Sequence, residues 1–209
     1  MERVLIRIKD FFHKPSAAEL KRRKAVEDYD YLRRHGVETE LGYVSLIGKP
    51  HIGRINGARI IIGKGVVIVS DTQTNSAGIN HPTFISAEAP GAVIKIEDGV
   101  GISGASIVTC SSITIGEQTM LGANVNIYGT DFHCLKAEDR LHQTNGTASA
   151  PTAPITIGKR CWLASNVTVL KGVTIGDEAV VGAMSLVNKN IPDKTVAAGV
   201  PAKVIREIG

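Results

Sequence analysis

The sequence predicts an all-β chain wound as a parallel β-helix of hexapeptide repeats, with an N-terminal helical extension. Three observations carry that expectation. From Ile157 to Pro192 the residues fall into register by sixes, with Ile157, Leu163, Val169, Ile175, Val181 and Val187 in first place. A period of six fits neither a helix nor a lone strand, whereas hexapeptide repeats mark stacked β-coils. Second place holds Gly158, Ala164, Gly176 and Gly182, and fifth place holds the small or slender Cys161, Val167, Val173, Ala179, Ser185 and Ile191, which fit where a coil turns. Finally, 43% of residues are hydrophobic but only 4% aromatic, and a ring-poor core suits a narrow triangular coil. Each face would turn one aliphatic inward, stacked on its counterpart one coil later.

Taken in order, residues 1–40 read as the helical extension. Val4, Leu5, Ile8, Phe11 and Phe12 have helix-like spacing among Arg3, Arg7 and Lys9. That segment packs on the body or a neighbouring subunit, or lies on an anionic membrane through residues 1–12. After Pro15, Ser16 and Glu19 form an S-x-x-E capping box that opens a second helix over about 17–35, and Gly36 stops it. Residues 41–195 read as the β-helix. Ile47-Gly48, Ile52-Gly53 and Ile62-Gly63 are imperfect repeats, and the register returns at Ile96, Ile102 and Val108, then at Ile115, Leu121 and Ile127. Two stretches lose it, 70–92 and 129–154, and both read as loops. A loop as long as the second is an exception between stacked coils and needs a reason. Residues 196–209 form a closing tail.

Composition narrows the function. Residues 1–36 carry ten Lys/Arg against six Asp/Glu, and the rest of the chain is balanced. A basic groove for nucleic acid along the body is therefore not expected. No apolar run reaches the roughly 18 residues of a membrane span, and no secretory signal pattern opens the chain. The three cysteines lack a disulfide framework, which fits a reduced, cytoplasmic setting. Cys161 occupies an inward repeat place.

His133 is the candidate catalytic residue. It stands in Gly129-Thr130-Asp131-Phe132-His133, at the start of the second loop, where the next inward aliphatic is due. A histidine titrating near neutrality is the usual general base for a hydroxyl nucleophile. Asp131 either orients its imidazole or hydrogen-bonds a sugar hydroxyl. Cys134 is adjacent, but neighbours on an extended chain point apart, so an acyl-cysteine route is disfavoured. His81, in the first loop, is an approach to the acceptor pocket or an ordinary loop histidine; His142 reads as solvated. No set of ligands converges on a zinc-like site, and no phosphate-binding glycine loop occurs.

The Ile157 repeats, the TDFH loop, PITIGKRCWLASN (154–166) and VAAGVPAKVIREI (196–208) together resemble the hexapeptide-repeat acyltransferases. The nearest branch is the sugar O-acetyltransferases, which includes galactoside, maltose and polysaccharide-biosynthesis enzymes. The resemblance covers about residues 60–208. It implies a left-handed β-helix and a homotrimer with active sites between subunits. It also implies direct transfer from acetyl-CoA to a sugar or glycan hydroxyl, with His133 as base and no metal. Matching positions put the pantetheine arm near Ala164, Ser165 and Ala183, and the nucleotide end near Asn188, Lys189, Lys203 and Arg206. Trp162 matches a recurrent tryptophan, either active-site wall or packing. Ser103 and Gly104 fall where galactoside enzymes carry a polar acceptor-binding side chain, which makes Ser103 an acceptor-binding candidate and leaves the acceptor sugar unspecified while the acetyl-CoA half stands. The alternatives are N-acetylation of an amino sugar nucleotide, a γ-type carbonic anhydrase, which the missing histidine trio disfavours, and a non-catalytic assembly module.

Overall fold

The computed structural model describes residues 16–142 and 150–209; the amphipathic 4–12 segment lies outside them. Helix α1 spans Ala17–Arg34. Its N-terminus carries the expected capping box, in which Ser16 and Glu19 satisfy each other's backbone N–H, and Gly36 follows with φ of 76°. Leu32 is fully buried and plugs the first end of the coil. Asp28, also buried, accepts a hydrogen bond from the Leu46 N–H at 3.0 Å and pairs with Lys24 and Lys49. A buried carboxylate satisfied in this way ties the helix to the first coil.

Among the described residues the strands form three sheets, one per face of a triangular prism. The first face runs from Val37–Glu38 to Thr174–Ile175, the second from Val44–Ile47 to the C-terminal hairpin, and the third from His51–Arg54 to Leu186–Val187. Every coil contributes one strand to each face, and the ladders are parallel until the last hairpin. Ile157 pairs with Ile175, Leu163 with Val181 and Val169 with Val187, the eighteen-residue stacking the repeat predicts. All six are essentially inaccessible to solvent, as is Cys161, whose thiol burial pushes to a higher pKa.

The corners stack as regularly as the faces. Gln118, Arg160, Glu178 and Lys194 all have positive φ at the edge between the first and second faces. Left-handed backbone is unfavourable for such residues. Each is held by a bond to the coil before it: the N–H of Arg160 donates to Glu117, of Glu178 to Lys159 and of Lys194 to Asp177, all at 2.8 Å.

Where the repeat is imperfect, the structure corrects the register. Leu46, not Ile47, faces inward, and Ile47 is exposed. Ile107, not Val108, stacks on Ile85 and Ile127, so that coil has one residue fewer before it and a longer corner after it. The first excursion is shorter than 70–92, because Phe84–Ala87 is a third-face strand and only the residues between Val69 and Phe84 leave the coil. β-structure also begins before residue 41, at Val37. The tail is a hairpin, Thr195–Gly199 against Ala202–Glu207.

Candidate active site

The second excursion leaves the third face after Tyr128 and returns to the first face at Ile155. It springs from the edge between those faces, and its base is pinned at several points. Thr130 bridges Thr152, Thr152 Oγ1 donates to the Gly129 carbonyl at 2.5 Å, and the Asp131 N–H donates to the Pro151 carbonyl at 3.0 Å. The Asp131 carboxylate accepts from Lys171 Nζ at 2.7 Å, an ion pair that ties the loop to the next coil. Both side chains are about 30% exposed (29% and 30%), so the pair is partly shielded. Phe132 has φ of 61° and packs edge-on against Tyr128. The His133 N–H then donates to the Asp131 carbonyl at 2.7 Å, leaving the imidazole exposed. Arg140, in the short helix α2 (Ala137–Leu141), binds the Cys134 and Leu135 carbonyls and fixes the backbone beyond. His133 is thus a solvent-facing imidazole on a clamped turn.

The other residues singled out in the sequence separate into groups. Ala164, Ser165 and Ala183 lie on the edge between the second and third faces, in successive coils. Lys203 pairs with Ala198 in the hairpin, whose Gly199 N–H donates to Ser185 Oγ at that edge. Arg206 sits further along the hairpin opposite Val196. Asn188 and Lys189 follow the last third-face strand and sit on the same edge as the His133 loop. Within one chain, therefore, His133 and the Ala164–Ala183 edge are separated by the width of the third face, roughly 10 Å for a strand of three residues.

Ser103 and Trp162 meet elsewhere, in a shallow groove of about 350 Å³ on the second face with Met120 and Val67. Trp162 points outward and is 49% exposed, which removes it from the core. His81 belongs to the first excursion. This loop hangs on the second–third edge, where the Asn80 N–H donates to Asn124 Oδ1 and Asn124 Nδ2 donates to the Gly78 carbonyl. A Cβ on Gly104 would approach Ile79 Cβ to 2.7 Å, so a side chain there would displace the loop. His81 Nδ1 lies 2.7 Å from the Pro82 carbonyl, and its ring meets Phe84 edge-on.

One feature eluded the sequence reading. A groove of about 540 Å³ lies on the third face, walled by Tyr31, His51, Phe84, Tyr128 and Phe132. Its signal was present but faint: in a chain so poor in rings, His51 and Phe84 each immediately precede an inward isoleucine, hence point outward. Lys171 was also missed, because its link to Asp131 spans forty residues of sequence. Among the described residues no group of three His, Cys, Asp or Glu converges on a possible metal position.

Fold and repeat together define a hexapeptide-repeat protein. Residues 154–189 match the bacterial transferase hexapeptide family (six repeats), and the resemblance to the hexapeptide-repeat acyltransferases holds. The chain is similar to galactoside O-acetyltransferase of Escherichia coli, 41% identical over 105 residues, covering 49% of this chain and 48% of that protein. The chain thus spans about half the length of the curated relatives it matches. A galactoside acetyltransferase structure in complex with coenzyme A has a TM-score of 0.53 at 27% identity, covering 95% of this chain and 74% of that one. A hexapeptide-repeat acetyltransferase from Vibrio cholerae, complexed with acetyl coenzyme A, shares the fold at a TM-score of 0.51 and 24% identity, covering 95% and 93%. The coil is accordingly a left-handed parallel β-helix.

Proposed function

We propose that this chain is an acetyl-CoA-dependent O-acetyltransferase acting on a hydroxyl of a sugar or glycan precursor in polysaccharide synthesis. The observation that carries the reading is the clamped excursion that presents His133 while the coil register resumes unbroken beyond it. In the proposed reaction His133 takes the proton of the acceptor hydroxyl. The alkoxide attacks the thioester carbonyl, the tetrahedral intermediate collapses, and the CoA thiolate leaves with a proton returned from the imidazolium. Asp131 acts through the backbone and through Lys171 to hold the turn. The galactoside acetyltransferase whose structure contains coenzyme A supports acetyl-CoA as donor.

The donor would lie along the Ala164–Ser165–Ala183 edge, with its phosphates toward Lys203 and Arg206, where cations suit them. Because that edge and His133 lie on opposite sides of the third face, we place the reaction between two copies of the chain in a homotrimer, Asn188 and Lys189 approaching the donor from the neighbouring copy. An apolar stripe on the second face supports association: Val67, Met120 and Trp162, at 38%, 55% and 49% exposure, lie in register outside the coil. Open apolar patches of this kind mark interaction surfaces. No described helix is long and apolar enough to cross a membrane. A screen of sugar acceptors with acetyl-CoA, read by mass and by ester hydrolysis in mild base, tests the reading. An ester formed by wild type and lost in His133→Ala is expected; an amide product, or no transfer to any acceptor, would overturn it.

A further inference from the structure

The third-face groove has a lining of definite chemistry. Its floor is Gly53, Ser86, Ser106 and Val108, and its walls are aromatic. Phe84 is 40% exposed and stacks on the His51 imidazole, centroids 4.5 Å apart and planes at 18°, so the two rings cover each other's facing sides and form one aromatic wall. Tyr128 and Phe132 stand at the other end, in edge-to-face contact at 5.2 Å. Gly53 keeps the groove open, since a Cβ there would come within 2.4 Å of Ser86 Oγ. Ser86 Oγ in turn donates to the Glu88 carboxylate at 3.1 Å. Aromatic walls on either side of serine hydroxyls and one carboxylate suit the mixed C–H and hydroxyl surface of pyranose rings.

The charge of the lining selects among sugars. No lysine or arginine is among the lining residues. Lys49, 5.0 Å from the Tyr31 ring centroid, is paired with Glu27 and Asp28. A nucleotide sugar would therefore bring its phosphates beside a carboxylate, with no lysine or arginine in the lining to neutralise them. The groove runs across four neighbouring strands, from His51 to Tyr128, roughly 14 Å at the ordinary strand spacing. That is long enough for more than one ring. It ends at Phe132, the residue before His133.

We propose that the third-face groove binds an uncharged oligosaccharide, holding the body of the acceptor while one of its hydroxyls reaches His133. This rests on the O-acetyltransferase reading for the reaction, but not for the binding. The test uses the full chain without acetyl-CoA, on an array of neutral oligosaccharides with their matched monosaccharides and a set of nucleotide sugars. Retention of a neutral oligosaccharide above its monosaccharide is expected. Phe84→Ala and Tyr128→Ala should each weaken it roughly tenfold, the scale of one lost stacking contact. Ser106→Phe, which fills the floor without removing a wall, should abolish it; melting temperature and CoA affinity control for folding. Failure to retain any neutral oligosaccharide, retention unchanged in all three variants, or preference for nucleotide sugars would overturn the proposal. His133→Ala separates the two readings. If it binds the glycan but transfers no acetyl group, both stand. If it transfers as well as wild type while the groove variants lose binding, only the catalytic reading falls.

Discussion

The C-terminal repeat block and the excursion that precedes it obey opposite rules. In the block, every inward position repeats its neighbour one coil away, and the ladders of the three faces reinforce each other. Information there is redundant, and a change is felt as lost packing. Among the described residues of the excursion nothing repeats. Thr130, Asp131 and Thr152, with Lys171 of the next coil, make individual contacts that converge on the turn that presents His133. The difference teaches that stability and chemistry occupy separate parts of this chain, which mutations should be able to separate.

The largest effect is expected at His133. Replacement by alanine should lower turnover by a factor on the order of 10²–10⁴ while leaving the melting midpoint in place. Turnover close to wild type would take His133 out of the mechanism. The mirror-image change is Leu163→Ala in the block. It empties a fully buried position stacked between Leu121 and Val181, at a cost of about 2–5 kcal/mol read as a shifted denaturant midpoint. An unshifted midpoint would show that the coil tolerates the cavity and that redundancy outweighs packing.

A smaller effect tests the clamp between the two regions. Lys171→Ala should reduce kcat by roughly tenfold to a hundredfold through misplacement of the loop. Lys171→Arg should restore much of it, because it keeps the charge opposite Asp131. Equal activity in both variants would mean that the turn holds without the ion pair. The smallest effect lies on the surface of the block, where Arg160 holds the Glu178 carboxyl below its ordinary range. A depressed carboxyl contributes stability that is present above its unfolded pKa and lost as pH falls through the folded value. Glu178→Gln should therefore narrow the gap in melting temperature between neutral and acidic pH, slightly and less at high salt. A gap that widens would reverse the sign.

The fold was legible to the degree that the repeat is regular. Between Ile157 and Val187 each inward residue could be named from its spacing, because the coil has one inward side chain per six residues. Legibility failed at Ile47 and Val108, where two adjacent aliphatics compete and spacing alone does not choose; the ladder chose Leu46 and Ile107. Phe84–Ala87 was hidden for a similar reason. The prolines and glycines around it mark turns, yet the strand between them is held by its neighbours Ile52 and Ile107 rather than by local pattern. His133 was legible as an interruption. Its surroundings were not, because Lys171 and the pinning threonines reach it through contacts that local pattern does not record.

By itself, the sequence determined the coil, the capping box of α1, the ring-poor core and the place where the register breaks. These are local or strictly periodic properties, decided by steric fit and hydrophobic spacing. Only the tertiary structure decided that Asp131 turns to Lys171, that the expected donor edge and His133 lie on opposite sides of one face, and that Tyr31, Phe84, Tyr128 and Phe132 line one groove on that face. Such pairings depend on how many residues each coil takes to close. A residue gained or lost within a strand turns its side chains over, whereas one taken up at a corner leaves the later coils in place, so the pairings are settled only once the prism has formed.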